Sequence, residues 1–573
     1  MVELEEEINP QKLEDFKFAD VDPVKRARRI HCLKIASCLL AIILIIVMIP
    51  IIVESIRRKN YVEINCKFSA GNEIVQLINE KAFKKLKFDL SINSKKEKAT
   101  SKYKFKKSGE YKVSFTFHKK LTSLRDIFNN LNQLKEIDLS KVNPDAFQDI
   151  TKLFTDSESL EKVIFGKNKK KIKYMEEAFS GCNSLKELDL TSFNTKNVES
   201  MARIFSGCHS LTSVDLSSFD TKNVNTMEGM FSGCYSIENI SLENFNFTNV
   251  EDMSFMFSNC ENLTNITFGE SNTTNLTRMT GVFMNCVSLK QLDLHNFQTN
   301  SVDDMSLLFY NCVKLEELDL SKFETNKVDN MYKMFSNCQS ITRLNLESFD
   351  TSKVKNMKEM FSNCVKLSKI NLNSFRTEKV IYFKSQFANC SSLTELNLSK
   401  FRTDEATEME SMFYGCSSLT SLNINNFTTN KLNNVKYMFD GCTQLKSIDL
   451  SFLKDSKGLM FISGMFRNCI SLKDISFPQI RTFFLYGTNE MFSGCENLKN
   501  INMASINTLS VLSMEKIFYG CNSLISLDIS NFNTRSLENS DGIFEGIKSS
   551  IEIKYNKSKT QEIYEKIMEL GKK

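Results

Sequence analysis

From residue 198 the apolar positions run Val198, Met201, Ile204, Phe205 and Cys208, then Leu211, Val214, Leu216 and Phe219, and the same order returns 26 residues later. The first set is spaced 3, 3, 1 and 3, which predicts a short α or 3₁₀ helical turn with one apolar face. The second ends in a Val-Asp-Leu alternation, which predicts a short strand with Asp215 pointing to the other face. Neither piece can bury its apolar side within 26 residues, so the units must stack, with strands side by side in a parallel sheet at about 4.8 Å. The expected fold is therefore an α/β solenoid of stacked parallel strands and short helical turns.

The cysteines carry the register. Cys182, Cys208, Cys234, Cys260, Cys286, Cys312, Cys338, Cys364, Cys390, Cys416 and Cys442 are 26 apart, and Cys469, Cys495 and Cys521 follow after one inserted residue. Degenerate copies at Phe128 with Leu131, Phe154 with Ser157 and Phe544 with Ile547 bring the count to about 17 units over residues 121–550. The unit reads V-x-x-M-x-x-M-F-x-x-C-x-S-L-x-x-L-D-L-S-x-F-x-T and stands nearly intact as Val354, Met357, Met360, Phe361, Cys364, Leu367, Ile370, Leu372, Phe375 and Thr377. It resembles the repeat of BspA-like leucine-rich-repeat surface proteins, over residues 121–547. In the wider pattern L-x-x-L-x-L-x-x-N, Leu185, Leu188 and Leu190 match, but Phe193 stands in place of the Asn that would bond the backbone. A phenylalanine spine and the recurring Thr195, Thr221, Thr299, Thr325, Thr351, Thr377, Thr403 and Thr429 are expected to take over, the hydroxyls bonding nearby backbone groups. The resemblance implies a microbial cell-surface protein of adhesion or recognition, and it supplies no functional residues to carry over.

The flanks differ from the repeat. Residues 35–53 are 19 residues without a charge, enough for a helix to cross about 28 Å, and a transmembrane signal anchor is expected over 35–56. Lys25, Arg26, Arg28, Arg29 and Lys34 before it outnumber Arg57, Arg58 and Lys59 after it, which favours an inside N-terminus and an outward repeat region: a single-pass type II plasma-membrane protein. Residues 1–34 read as a disordered acidic tail with a basic juxtamembrane stretch; eight acids fall before residue 25. Over 60–120, alternations such as Val62, Ile64, Cys66, Phe68 and Tyr111, Val113, Phe115, Phe117 predict a small β module capping the first coil. Its residues 81–120 hold 14 Lys against three acids, a solvated face that blunts strand edges or a site for anionic headgroups or glycans. Residues 551–573 are expected to form a C-terminal helical cap or tail.

Composition changes the picture little: 41% hydrophobic and 25% charged is ordinary, and 46 Phe reflect the repeat. A net charge of +5 over 573 residues points to no nucleic-acid partner. Single cysteines 26 apart with only four His in the chain do not make zinc pairs, so no metal is expected. The cysteine ladder reads as buried thiols acting as small hydrophobes, with neighbour-to-neighbour disulfides the alternative. A polar column on the strand, Asp189, Asp215, Asp293, Asp319, Asn345, Asn371, Asn397, Asn423, Asp449, Asn502 and Asp528, is the candidate ligand-facing surface; its bland alternative is a wetted sheet face. Sequons cluster at Asn239, Asn246, Asn262, Asn265, Asn272 and Asn275 as candidate N-glycosylation sites. No phosphate-cradling loop, nucleophile elbow or zinc-protease motif is present, so neither catalysis nor a cofactor is expected. The expected function is a surface binding protein for a protein or glycan ligand on a host cell, a neighbouring cell or matrix. A structural coat and a receptor signalling through the acidic tail are the alternatives, and the oligomeric state is not legible.

Overall fold

Every second backbone N–H between Met201 and Gly207 leaves its own coil: Met201, Arg203, Phe205 and Gly207 donate to the carbonyls of Thr226, Glu228, Met230 and Ser232 in the next. The residues between them close tight turns, Ser206 onto Arg203 and Cys208 onto Phe205. In the computed structural model of the chain, which describes residues 22–59, 61–269, 272–480 and 484–570, this pattern recurs coil after coil. It corrects the expected helical turn. A helix would spend these N–H groups on its own carbonyls; here a backbone alternating between right- and left-handed turns turns Met201, Phe205 and Cys208 inward and hands its donors to the neighbour.

Two residues per coil carry the left-handed conformation, Arg203 (φ 54°) and Gly207 (φ 73°) in one and Glu359 (57°) and Asn363 (60°) in another. The second of these precedes the cysteine, and from Gly181 to Gly520 it is Gly or Asn in every coil, the types that reach this region at least cost. At Gly207 a side chain would also lie 3.4 Å from the backbone of Gly181.

The strand side behaves as expected. Asn239–Leu242 pairs in parallel with Asn265–Phe268, and Arg343–Asn345 with Lys369–Asn371. Asp474–Ser476, Asn500–Asn502, Ser526–Ile529 and Glu552–Tyr555 form four consecutive parallel strands. A second ladder of single bridges runs through the residue before Met201 and its counterparts in the later coils, from Ser200↔Thr226 to Ser513↔Asn539.

Inside, a column of phenylalanines stacks from Phe128 to Phe544, 17 rings bounding 16 turns, with centroids 5.4–6.3 Å apart and planes within 30°. Beside it the buried threonines bridge coils: Thr377 Oγ1 donates to the Arg402 carbonyl (2.6 Å) and accepts from the Arg402 N–H (2.8 Å). Thr195 does the same to Asp220, so in these coils a hydroxyl takes the place of the asparagine of the wider leucine-rich pattern, while Phe247 fills that position in one coil. Thr377→Val is isosteric but leaves the part-buried Arg402 N–H and carbonyl without their partner. It is expected to cost about 1–3 kcal/mol per group, while Thr377→Ser costs far less; urea unfolding midpoints check this, and equal losses for the two variants would contradict it.

The ends are finished differently. β1 (Val62–Ala70), β2 (Ile74–Gln76), α2 (Glu80–Lys85), β3 (Phe88–Ile92), β4 (Lys95–Glu97), β5 (Lys102–Lys104) and β6 (Gly109–Phe117) make the basic module. Its sheet runs straight into the first coils, in the order β4-β3-β6-β1-β7-β8, with β7 at Leu134–Asp138 and β8 at Lys162–Ile164. Cys66 on β1 faces Ile137 on antiparallel β7, and β7 pairs in parallel with β8. At the C-terminus the expected helical cap begins with a strand, Glu552–Tyr555, so the sheet outlasts residue 550; α3 (Gln561–Leu570) follows, burying Ile563, Ile567 and Leu570. The chain divides into two units, residues 1–62 with 117–120 and residues 63–116 with 121–573.

In the first unit α1 spans Pro23–Lys59. Among the described residues no helix is long and apolar enough to cross a membrane. The run expected to span, 35–56, lies partly outside them, since the Cys38 side chain and those from Pro50 on are not described. The acidic tail before Asp22 also lies outside the described residues.

Candidate functional site on the strand face

Alternation along each strand sends two residues per coil outward, and stacking turns them into two columns. The column foreseen from sequence is one of them. All eleven of its side chains use an oxygen locally: Oδ1 of Asp189, Asp215, Asp293, Asp319, Asn345, Asn371, Asn397, Asn423, Asp449, Asn502 and Asp528 accepts the backbone N–H two residues on, at 2.8–3.2 Å. The residues are thus first of all turn-formers that end the strand. The bonds also favour the charged form: Thr191, Ser217, His295 and Ser321 hold the carboxyls of Asp189, Asp215, Asp293 and Asp319 below the usual range. Nine of the eleven are exposed, Asn371 and Asp528 being half-buried.

Sequence reasoning missed the other outward column, two residues earlier, which includes Gln291, Glu317, Arg343, Lys369, Glu395 and Ser421. The same alternation that marks Asp215 would have found it. Together the columns line two grooves. One, of about 590 Å³, is acidic, with Glu243, Asp293, Glu317 and Asp319 around Gln291 and His295. The other, of about 690 Å³, is amide-rich, with Asn345, Asn371, Asn397 and Asn423 beside Arg343, Lys369 and Glu395. Asp189, Asp215, Asp449, Asn502 and Asp528 line neither.

The cysteine ladder lies in the core. Cys182, Cys208, Cys234, Cys260, Cys286, Cys312, Cys338, Cys364, Cys390, Cys416, Cys442, Cys469, Cys495 and Cys521 are buried free thiols. Each Sγ donates to the phenylalanine carbonyl of the preceding coil at 3.0–3.3 Å. Burial pushes the thiols of Cys208, Cys260, Cys312, Cys364, Cys416 and Cys521 up to about 12, which removes nucleophilic and metal-binding thiolate at neutral pH. Among the described residues no three His, Cys, Asp or Glu side chains gather as a metal-binding group. The clustered sequon residues Asn239, Asn246, Asn262, Asn265, Asn272 and Asn275 are all exposed. Asn275 already donates to the Thr248 carbonyl at 2.9 Å.

Among solved structures, a leucine-rich repeat protein from Bacteroides ovatus is similar at 19% identity, over 74% of this chain and 88% of that one, with a TM-score of 0.38. Another from Eubacterium ventriosum is similar at 16% identity, over 64% and 84%, with a TM-score of 0.19. No curated protein matches the chain. The family described as Mycoplasma protein of unknown function, DUF285, matches at residues 122–240, 232–346, 330–452 and 460–569, and the BspA type leucine rich repeat region matches at 54–175. Matched over most of its length, the chain belongs to that DUF285 family and is a BspA-like leucine-rich-repeat protein.

Proposed function

We propose that the chain is a cell-surface binding protein, held by α1 as a single membrane span with its repeats outside, and that it recognises a protein or glycan ligand on another cell or matrix through the strand face, without catalysis. The observation that carries the binding reading is the pair of grooves on that face, lined by polar side chains fixed in place by their own turns. A repeat array offers such a face as a long platform of uniform spacing. The anchor reading rests on the uncharged run at 35–53 and on the large apolar side chains between Leu39 and Ile49, each 44–64% exposed. Water tolerates such a cylinder poorly, and lipid suits it.

Protease treatment of intact cells carrying the full chain with a C-terminal epitope tag tests the display. Loss of the tag without permeabilisation is the expected result; protection of the tag until the membrane is breached would reverse the topology and leave an intracellular scaffold.

A further inference from the structure

The amide-rich groove differs from its acidic neighbour in one respect that names a ligand. Because Arg343–Asn345 and Lys369–Asn371 pair in register, Arg343 stands against Lys369 and Asn345 against Asn371. Both cations are exposed and neither is held by a carboxylate among the described residues, whereas Lys333, Lys355 and Lys384, elsewhere on the same coils, hold Glu359, Asp329 and Glu410. Asn345 and Asn371 each give Oδ1 to a turn N–H, at 3.2 and 3.1 Å, so the amide NH₂ groups are left to donate outward. Two cations and two oriented donors, one of each per coil, make a set that a single oxyanion and its neighbouring oxygens would satisfy.

Resting on the surface-binding reading above, we propose that this groove binds an acidic polysaccharide. A carboxylate or sulfate sits between Arg343 and Lys369, and sugar oxygens accept from the Asn345 and Asn371 amides. Donors recur once per coil, at about 4.8 Å, close to the length of one sugar ring. A peptide is the poorer fit. Of the apolar lining residues Leu344 and Leu396 are buried and only Ile370 is half-buried, no aromatic among the described residues lines the groove to anchor a side chain, and the strand backbones are already paired.

The test is binding of the full chain, in detergent micelles, to polygalacturonate, dextran sulfate, neutral dextran and polyglutamate. The variants are R343E/K369E, the milder R343Q/K369Q, and K106E/K107E in the basic module. Both cation pairs are exposed, so unfolding midpoints should stay unchanged. The expected result is a loss of at least about tenfold in affinity for polygalacturonate and dextran sulfate in R343E/K369E, a smaller loss in R343Q/K369Q, little change in K106E/K107E, and weak binding of neutral dextran and polyglutamate. Loss confined to the module variant would overturn the assignment by moving the polyanion to the lysines, and polyglutamate binding as tightly as polygalacturonate would overturn it in favour of an acidic peptide. Either outcome leaves surface display standing, because protease accessibility reads that separately.

Discussion

Phe309→Ala is expected to destabilise the middle of the solenoid by about 3–5 kcal/mol, as a buried phenylalanine truncated in a packed core does. Its ring stands 5.7 Å from Phe283 and 5.5 Å from Phe335, both nearly parallel to it. Its backbone is pinned as well: the N–H goes to Met334 in the next coil, and the carbonyl accepts the thiol of Cys338 at 3.1 Å. Because the main chain is tied on both sides, the coil cannot slide in to fill the void, which places the loss high in the range. Each coil touches only its neighbours, so the damage should stay local. Hydrogen exchange is the measurement. Amides near residues 283–335 should lose protection while those near 205 and 492 keep it, and urea unfolding should split into two steps. A uniform loss of protection along the chain would show that the array unfolds as one cooperative body and that nearest-neighbour coupling is the wrong description.

The inward half of each coil was legible because the repeat averages over its own noise. Phe, Cys and Thr recur in register, and stacking gives each a copy of itself as neighbour. The turn was misread as a helix because spacings of 3, 3, 1 and 3 place apolar residues on one side of either backbone. The signal that separates the two was present in the Gly or Asn before every cysteine of the ladder, which a helix disfavours and a left-handed residue favours. Single departures from the repeat were not legible. Among Lys169, Lys170 and Lys171, only Lys170 is buried, its ammonium donating to the Gly166 and Asn168 carbonyls and to Ser192 Oγ, and nothing in a run of lysines marks the middle one. The candidate site was half legible. The Asp and Asn column could be found by its period, but its use of one oxygen for a turn, and the register that sets Arg343 against Lys369, required the fold.

Arg467→Ala is the other large effect expected, again about 3–5 kcal/mol, and this one should depend on pH. Between Cys442 and Cys469 the repeat takes one extra residue, and the neighbouring coils there are clamped by charge. The Asp440 side chain is 2% exposed and accepts from Arg467 Nε at 2.9 Å and Nη2 at 2.7 Å, while Nη1 reaches Glu490 at 2.8 Å and the guanidinium lies 5.1 Å over the Tyr437 ring. Removing the arginine leaves the Asp440 carboxylate, among the described residues, with Asn468, which donates to Oδ1 at 3.3 Å. Even with Arg467 in place, burial raises the Asp440 carboxyl above its ordinary value. A carboxyl raised on folding binds its proton more tightly in the folded chain, so its contribution is present below the ordinary carboxylate range and is lost as pH rises through the raised value. Without Arg467 that value climbs further. The deficit of Arg467→Ala should therefore be greatest near neutral pH and shrink toward about pH 5, as urea midpoints at the two pH values would show. Asp440→Asn added to Arg467→Ala should recover part of the loss at neutral pH, since a neutral amide needs no counter-ion. A deficit that neither pH nor the second substitution moves would mean that Arg467 acts through its packing on Tyr437 and not through the charge it neutralises.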